Sequence, residues 1–287
     1  MITCNLGLNQ RAVLRYGGQI GFGLLLGCVS MGGIAQNQPP SFGGNQTSVQ
    51  YQPNQYCPAN TVVEIPQGAP NATLYRDSVC IREQLRPYQA DDQPATVRYY
   101  AHKANAWLAY AYHEASEHSP TAAGADAMNR AVTLLSALKN NHSELLAVDS
   151  VLPATSGVGR PDLWADILAV KHSPAFARVT VLPKIVADSE VKLIWSQAEN
   201  CERGWRHANE HFTAADRWVT AAYLTAWNAL DAEQQTALKA TREAYFAQLL
   251  PLSQSSAANA KATKQRFWHV QQQRPSSSCQ GTILPAL

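Results

Sequence analysis

The stretch Glu190–Phe212, EVKLIWSQAENCERGWRHANEHF, decides how the rest of the chain is read. Val191, Ile194, Trp195 and Ala198 recur at intervals of three and four, which places them along one stripe of an α-helix. Gly204 interrupts that pattern, and Trp205, Arg206 and His207 follow directly. The expectation is a buried helix that runs into a tight structural corner made of Trp195, Trp205, Arg206 and His207. The two indoles would cover its apolar side, while Arg206 and His207 would meet backbone carbonyls left open at helix ends.

The same periodicity extends in both directions. Upstream, Val97, Tyr100, Ala104, Trp107, Leu108 and Ala111 form one stripe that ends near Ser119-Pro120, where proline disfavours continuation. A second stripe starting near Thr121 holds Ala127, Ala131, Leu134, Leu135 and Leu138, and the short connection between the two predicts an antiparallel helical hairpin. Gly157 and Gly159 mark a loop, after which Arg160-Pro161-Asp162 opens a helix with proline at its first position. Ser173-Pro174 and Leu182-Pro183 repeat that signal. Downstream, Thr213 is read as the start of a helix through Trp218 and Trp227, and Asp231 with Gln234 as the cap of another that Pro251 stops. A last helix is expected over Ala257–Val270. Strand-like runs are scarce after Asp91, so the fold class is all-α, an irregular bundle of antiparallel helical hairpins. Trp107-Leu108-x-Tyr110 with the alanine-rich helix after it has the look of one tetratricopeptide hairpin, but no second copy recurs at a fixed period.

The N-terminal part has a different composition. Arg11 and Arg15 precede an apolar run, Ile20–Leu26, and then small residues, which is the layout of an export signal. Two processing positions are open. Leu25-Leu26-Gly27-Cys28 resembles a lipobox, which would acylate Cys28, whereas Gly33-Ile34-Ala35 suits ordinary cleavage that leaves Gln36 first. Those two arginines account for the whole formal charge of +2, so the processed chain is neutral. A neutral chain offers no clustered cations for nucleic acid or an anionic membrane surface. From Gln36 to Gln55 the residues are Gln, Asn, Pro, Ser and Gly with almost nothing aliphatic, which reads as a tether. Between Cys57 and Cys80, the runs Thr61–Ile65 and Ala72–Tyr75 are strand-like and separated by Pro66, Gly68, Pro70 and Asn71, which predicts a small disulfide-closed loop or hairpin. The resulting partition is a signal at 1–35, a flexible tether at 36–56, the disulfide-closed element at 57–90, the helical domain at 91–270 and a tail at 271–287.

Cys57, Cys80, Cys201 and Cys279 survive either processing route, and their even number in an exported chain favours disulfides. The expected pairs are Cys57 with Cys80, which bracket a turn-rich segment, and Cys201 with Cys279, which would pin the tail to the corner. No CxxC pair is present, which leaves structural zinc and thioredoxin-like chemistry without support.

Two stretches hold paired histidines. His207-Ala-Asn-Glu210-His211 matches HxxEH, in which two histidines one helical turn apart hold zinc and the glutamate acts as general base. Catalytic zinc at His207, Glu210 and His211 is therefore the alternative to a plain polar surface. The surface reading is preferred because no third ligand is evident and Gly204 lies close before the motif, so His211 is expected to be exposed. His113-Glu114-Ala-Ser-Glu117-His118 contains i,i+4 pairs of the kind found on solvated helix faces. The chain has no GxSxG, P-loop or GxGxxG, and its tryptophans at apolar helical positions read as core and not as a sugar-stacking platform. No cofactor is expected.

Three blocks together resemble a known family: Ala101–Leu108 with Tyr112-His113-Glu114, then Arg160–Trp164, then Glu190–Trp195 followed by Gly204–Ala208. They are similar to the helical N-terminal region of certain OmpA-family envelope proteins of Gram-negative bacteria, over roughly residues 95 to 228. The resemblance implies an envelope protein, periplasmic or held at the outer membrane. The reading taken is a non-catalytic helical scaffold or interaction module with an envelope protein partner. The alternatives are a zinc hydrolase at His207, Glu210 and His211 or a helical ligand-binding domain with a Trp-lined pocket. A C-terminal OmpA-like domain with peptidoglycan-binding Asp and Arg is not expected here, so those residues are not carried over. In that family the segment after Gly-Trp-Arg-His-Ala does not usually supply Glu and His, which argues that the HxxEH match is accidental.

Overall fold

The computed structural model describes residues 48–117, 122–142, 146, 150–254, 279 and 281–286, all within one compact unit, Asn45–Leu287. The export signal, Cys28, the first part of the tether, His118 and the expected helix at Ala257–Val270 lie outside the described residues.

Among the described residues the fold is all-α, with α1 (Ala72–Leu85), α2 (Ala95–Ser116), α3 (Ala122–Asn140), α4 (Pro161–His172), the short α5 (Pro174–Arg178), α6 (Leu182–Arg203), α7 (Trp205–Asn228) and α8 (Ala232–Gln254). A 3-10 turn at Arg86–Gln89 follows α1. Proline sits in the first turn of α4, α5 and α6, where its missing N–H costs nothing. Asp231 caps α8 by accepting from the Gln234 N–H at 2.9 Å, as its spacing predicts. None of the described helices is long and apolar enough to cross a membrane.

Helix α6 is central. It packs along α7, against α2 and against α4, while α2 pairs with α3 and α4 pairs with α8. Trp107, Trp164, Tyr99, Tyr110 and Tyr245 are the largest side chains enclosed between them. Each such ring removes roughly 150–250 Å² from water, so these five anchor the core. One buried carboxylate belongs to the deciding stretch: Glu190 takes charge-assisted hydrogen bonds from Lys103 on α2 and Lys171 on α4, with Tyr99 also donating to it. One carboxylate thereby ties three helices, and its burial is tolerable because two cations and a hydroxyl surround it.

Both expected disulfides are present, Cys57–Cys80 and Cys201–Cys279, with Cα separations of 5.2 and 5.7 Å. Bonds of this kind form and persist in an oxidising compartment, outside the cytoplasm.

Several local expectations are corrected. Ala72–Tyr75 is the first turn of α1 and not a strand, because Asn71 Oδ1 accepts from the Leu74 N–H at 2.9 Å and starts a helix despite the β-favouring residues. Cys80 is therefore helical, and the disulfide joins a loop to a helix instead of closing a hairpin. The end of the expected tether is fixed: the Val49 and Tyr51 N–H groups donate to Thr133 Oγ1 and Asn129 Oδ1 on α3, and the Tyr51 hydroxyl donates to buried Asp77. Burial and that carboxylate push the Tyr51 phenol up. Thr213 does not open a helix, since α7 starts at Trp205 and Thr213 bonds back to the Asn209 carbonyl at 2.8 Å within it. Pro251 lies inside α8, in the last turn before its end at Gln254, and does not stop the helix where expected. The tail re-enters the fold, as Ile283 bridges Val151 and Leu284 is buried.

Candidate functional site

The corner forms at Gly204, whose φ of +82° joins the last turn of α6 directly to the first of α7. No atom would crowd a Cβ there, so glycine is required by the left-handed backbone alone. Trp205 stacks on Phe212 with centroids 5.7 Å apart, but Arg206 and His207 are exposed. The expected bonding of these two polar side chains to open carbonyls inside the corner is corrected accordingly. They sit on the first turn of α7, whose rotation turns Ala208 and Phe212 inward and carries residues 206 and 207 outward.

The polar groups meet one turn further along. On α6, Lys192, Trp195, Glu199 and Arg203 follow one another at three- and four-residue spacing and share a face. The C-terminal half of α2 brings Tyr110, His113 and, at its C-cap, Glu117 to that face, and α7 brings His211. Trp195 is the centre of the arrangement. It stacks on Tyr110 at 4.9 Å and on His211 at 4.7 Å, and the His113 ring lies 4.5 Å away at 58°. Lys192 Nζ lies 3.7 Å from the Trp195 ring centroid and donates to His211 Nδ1 at 2.6 Å.

His211 is buried at 7% exposure, which corrects the expected exposed face. The reason is tertiary, because α7 lies along α6 with this residue turned into the seam. Burial, reinforced by the Lys192 charge, lowers the His211 pKa to about 4 and holds the ring neutral at ordinary pH. Burial also lowers Lys192 to about 8. For Glu117, desolvation acts upward, but the Arg203 hydrogen bond and charge outweigh it and leave the carboxyl below its usual range. Burial and the Glu114 charge raise Tyr110.

One ring nitrogen from each of His113 and His211 and one carboxylate oxygen of Glu199 lie within 4.8 Å of one another. The HxxEH residues divide differently from their motif. His211 joins this cluster, His207 is exposed and belongs to no such group among the described residues, and Glu210 reaches His211 Nε2 at 3.6 Å from a side chain that is 82% exposed. Sequence reasoning flagged both histidine-bearing stretches separately and missed Glu199. The signal available for it was its position one turn after Trp195 on the same stripe.

Comparison with protein-family models, with curated proteins and with solved structures finds no match to this chain.

Proposed function

We propose that this is an exported bacterial envelope protein whose helical body acts as a non-catalytic scaffold or interaction module, either held at the outer membrane by lipid on Cys28 or free in the periplasm after cleavage behind Ala35. One observation supports the export reading above the others: Cys57–Cys80 and Cys201–Cys279 tie the two flanks of the chain to its helical body, and such bonds need an oxidising compartment. The signal-like start and the resemblance to OmpA-family helical regions point the same way. Against the hydrolase alternative stands the exposure of His207 and Glu210, neither of which belongs to a group that could hold a metal ion among the described residues.

The test is expression of the whole chain in a Gram-negative host, with thiol trapping, fractionation and intact mass. The expected product is in the envelope fraction, begins at acylated Cys28 or at Gln36, and has all of Cys57, Cys80, Cys201 and Cys279 oxidised. A full-length cytosolic product with trapped thiols overturns the reading. In-cell photo-crosslinking from exposed Trp218 on α7 then tests the scaffold role. A discrete adduct with another envelope protein is expected, and monomer alone counts against an interaction module.

A further inference from the structure

Glu199 is 2% exposed, and among the described residues its nearest ionic partner is Arg203, at 3.9 Å. Among the described residues no hydrogen bond holds its carboxylate, in contrast to Glu190, which two lysines and a tyrosine hydroxyl satisfy. A buried carboxylate without close donors is costly, and a cation beside it removes that cost. Besides Arg203, two imidazoles lie close to Glu199, His113 from α2 and His211 from α7, and both are metal-ligand types. The Nε2 of His113 is buried without a hydrogen bond of good geometry, although Glu117 Oε1 stands 3.2 Å away and could orient that ring as carboxylates orient metal-bound histidines.

We propose that His113, Glu199 and His211 form a binding site for one divalent first-row transition cation of the zinc type. Two imidazoles and one carboxylate suit that class of ion, whereas calcium and magnesium prefer all-oxygen sites. Three ligand atoms at about 2.0–2.2 Å from one ion stand roughly 3.3–3.6 Å apart, so atoms now within 4.8 Å close on the ion by about an ångström of side-chain movement. The ligands come from three helices that already pack together, with the backbone positions fixed before the ion arrives. Trp195, packed against both rings, limits how far either imidazole can swing. Three protein ligands leave a fourth position for water or an anionic ligand. The site does not depend on the envelope reading.

The experiment is titration of the purified, oxidised full chain with Co²⁺ and Zn²⁺, read by cobalt d–d absorption and by calorimetry. One saturable equivalent is expected, with the cobalt spectrum displaced by zinc. Glu199→Gln, which preserves shape, and His113→Ala and His211→Ala are each expected to weaken binding by about tenfold or more, and His207→Ala to leave it unchanged. Urea unfolding without metal verifies that each variant is folded, and Glu199→Gln decides the matter if either alanine variant is not. Absence of saturable binding in the wild type, equal binding by Glu199→Gln, or a loss in His207→Ala matching that in His211→Ala overturns the proposal.

Discussion

The indole of Trp195 and the imidazole of His211 stack at 4.7 Å with their planes 29° apart, which joins α6 to α7 through an aromatic face. Tyr110 occupies a neighbouring position at 4.9 Å, so the same indole also joins α6 to α2. Trp195→Ala therefore opens a void at the meeting of three helices. The expected cost is about 3–5 kcal/mol by urea denaturation, with Trp195→Phe costing clearly less. A loss under about 1 kcal/mol for the alanine variant would show that the seam collapses to fill the space.

Glu190→Gln is expected to destabilise by about 3–5 kcal/mol, because it leaves Lys103 buried beside a neutral amide. Replacing both partners, Glu190→Leu with Lys103→Met, should recover part of that loss. The coupling measured by the double-mutant cycle is the check, and simple additivity would argue that the pair does not act as a unit.

His102 supplies a pH dependence away from the candidate cation site. Burial, with the nearby charges of Lys184 and Arg98, lowers its pKa from 6.5 to about 4. Between those values the unfolded chain binds the proton and the folded chain does not, so stability falls as pH drops through that window. The His102 contribution should be on the order of 1–2 kcal/mol, given its partial exposure. Denaturation midpoints at pH 7 and pH 4.5 should differ more for the wild type than for His102→Gln, and identical differences would contradict the assignment.

Gly159 is placed so that an added Cβ would lie 2.0 Å from Gln197 Oε1 and 3.1 Å from Phe212 Cζ. Gly159→Ala is expected to cost about 1–3 kcal/mol through overpacking. Shortening the obstructing side chain with Gln197→Ala should make the second substitution much better tolerated. Equal costs of Gly159→Ala in both backgrounds would place the strain elsewhere.

The helices that announce themselves in the sequence are those with both a stripe and a start signal. Pro161 and Pro183 marked α4 and α6. Of the expected stripes, Ala104, Trp107, Leu108 and Ala111 on α2 and Ala127, Ala131, Leu134, Leu135 and Leu138 on α3 are buried, with Val97 and Tyr100 partly so. Ala72–Tyr75 misled because Thr and Tyr favour strands locally, while one cap by Asn71 and packing against α2 decide for helix. The fixing of Val49 and Tyr51 was not legible, since the partners, Thr133 and Asn129, are polar residues on a distant helix. The same limit applied to the site. His113 and His211 each belonged to a local pattern that suggested surface, and only the packing of α2, α6 and α7 brings them to Glu199.

The bond between Cys201 and Cys279 makes the chain from α6 onward a covalent ring that encloses α7, α8 and the segment up to Cys279. A single backbone cut between Gln254 and Cys279 would thus release nothing. The severed C-terminal piece would stay attached through sulfur and through the Val151–Ile283 pairing, and the break would appear only once a reductant separates two fragments on a gel.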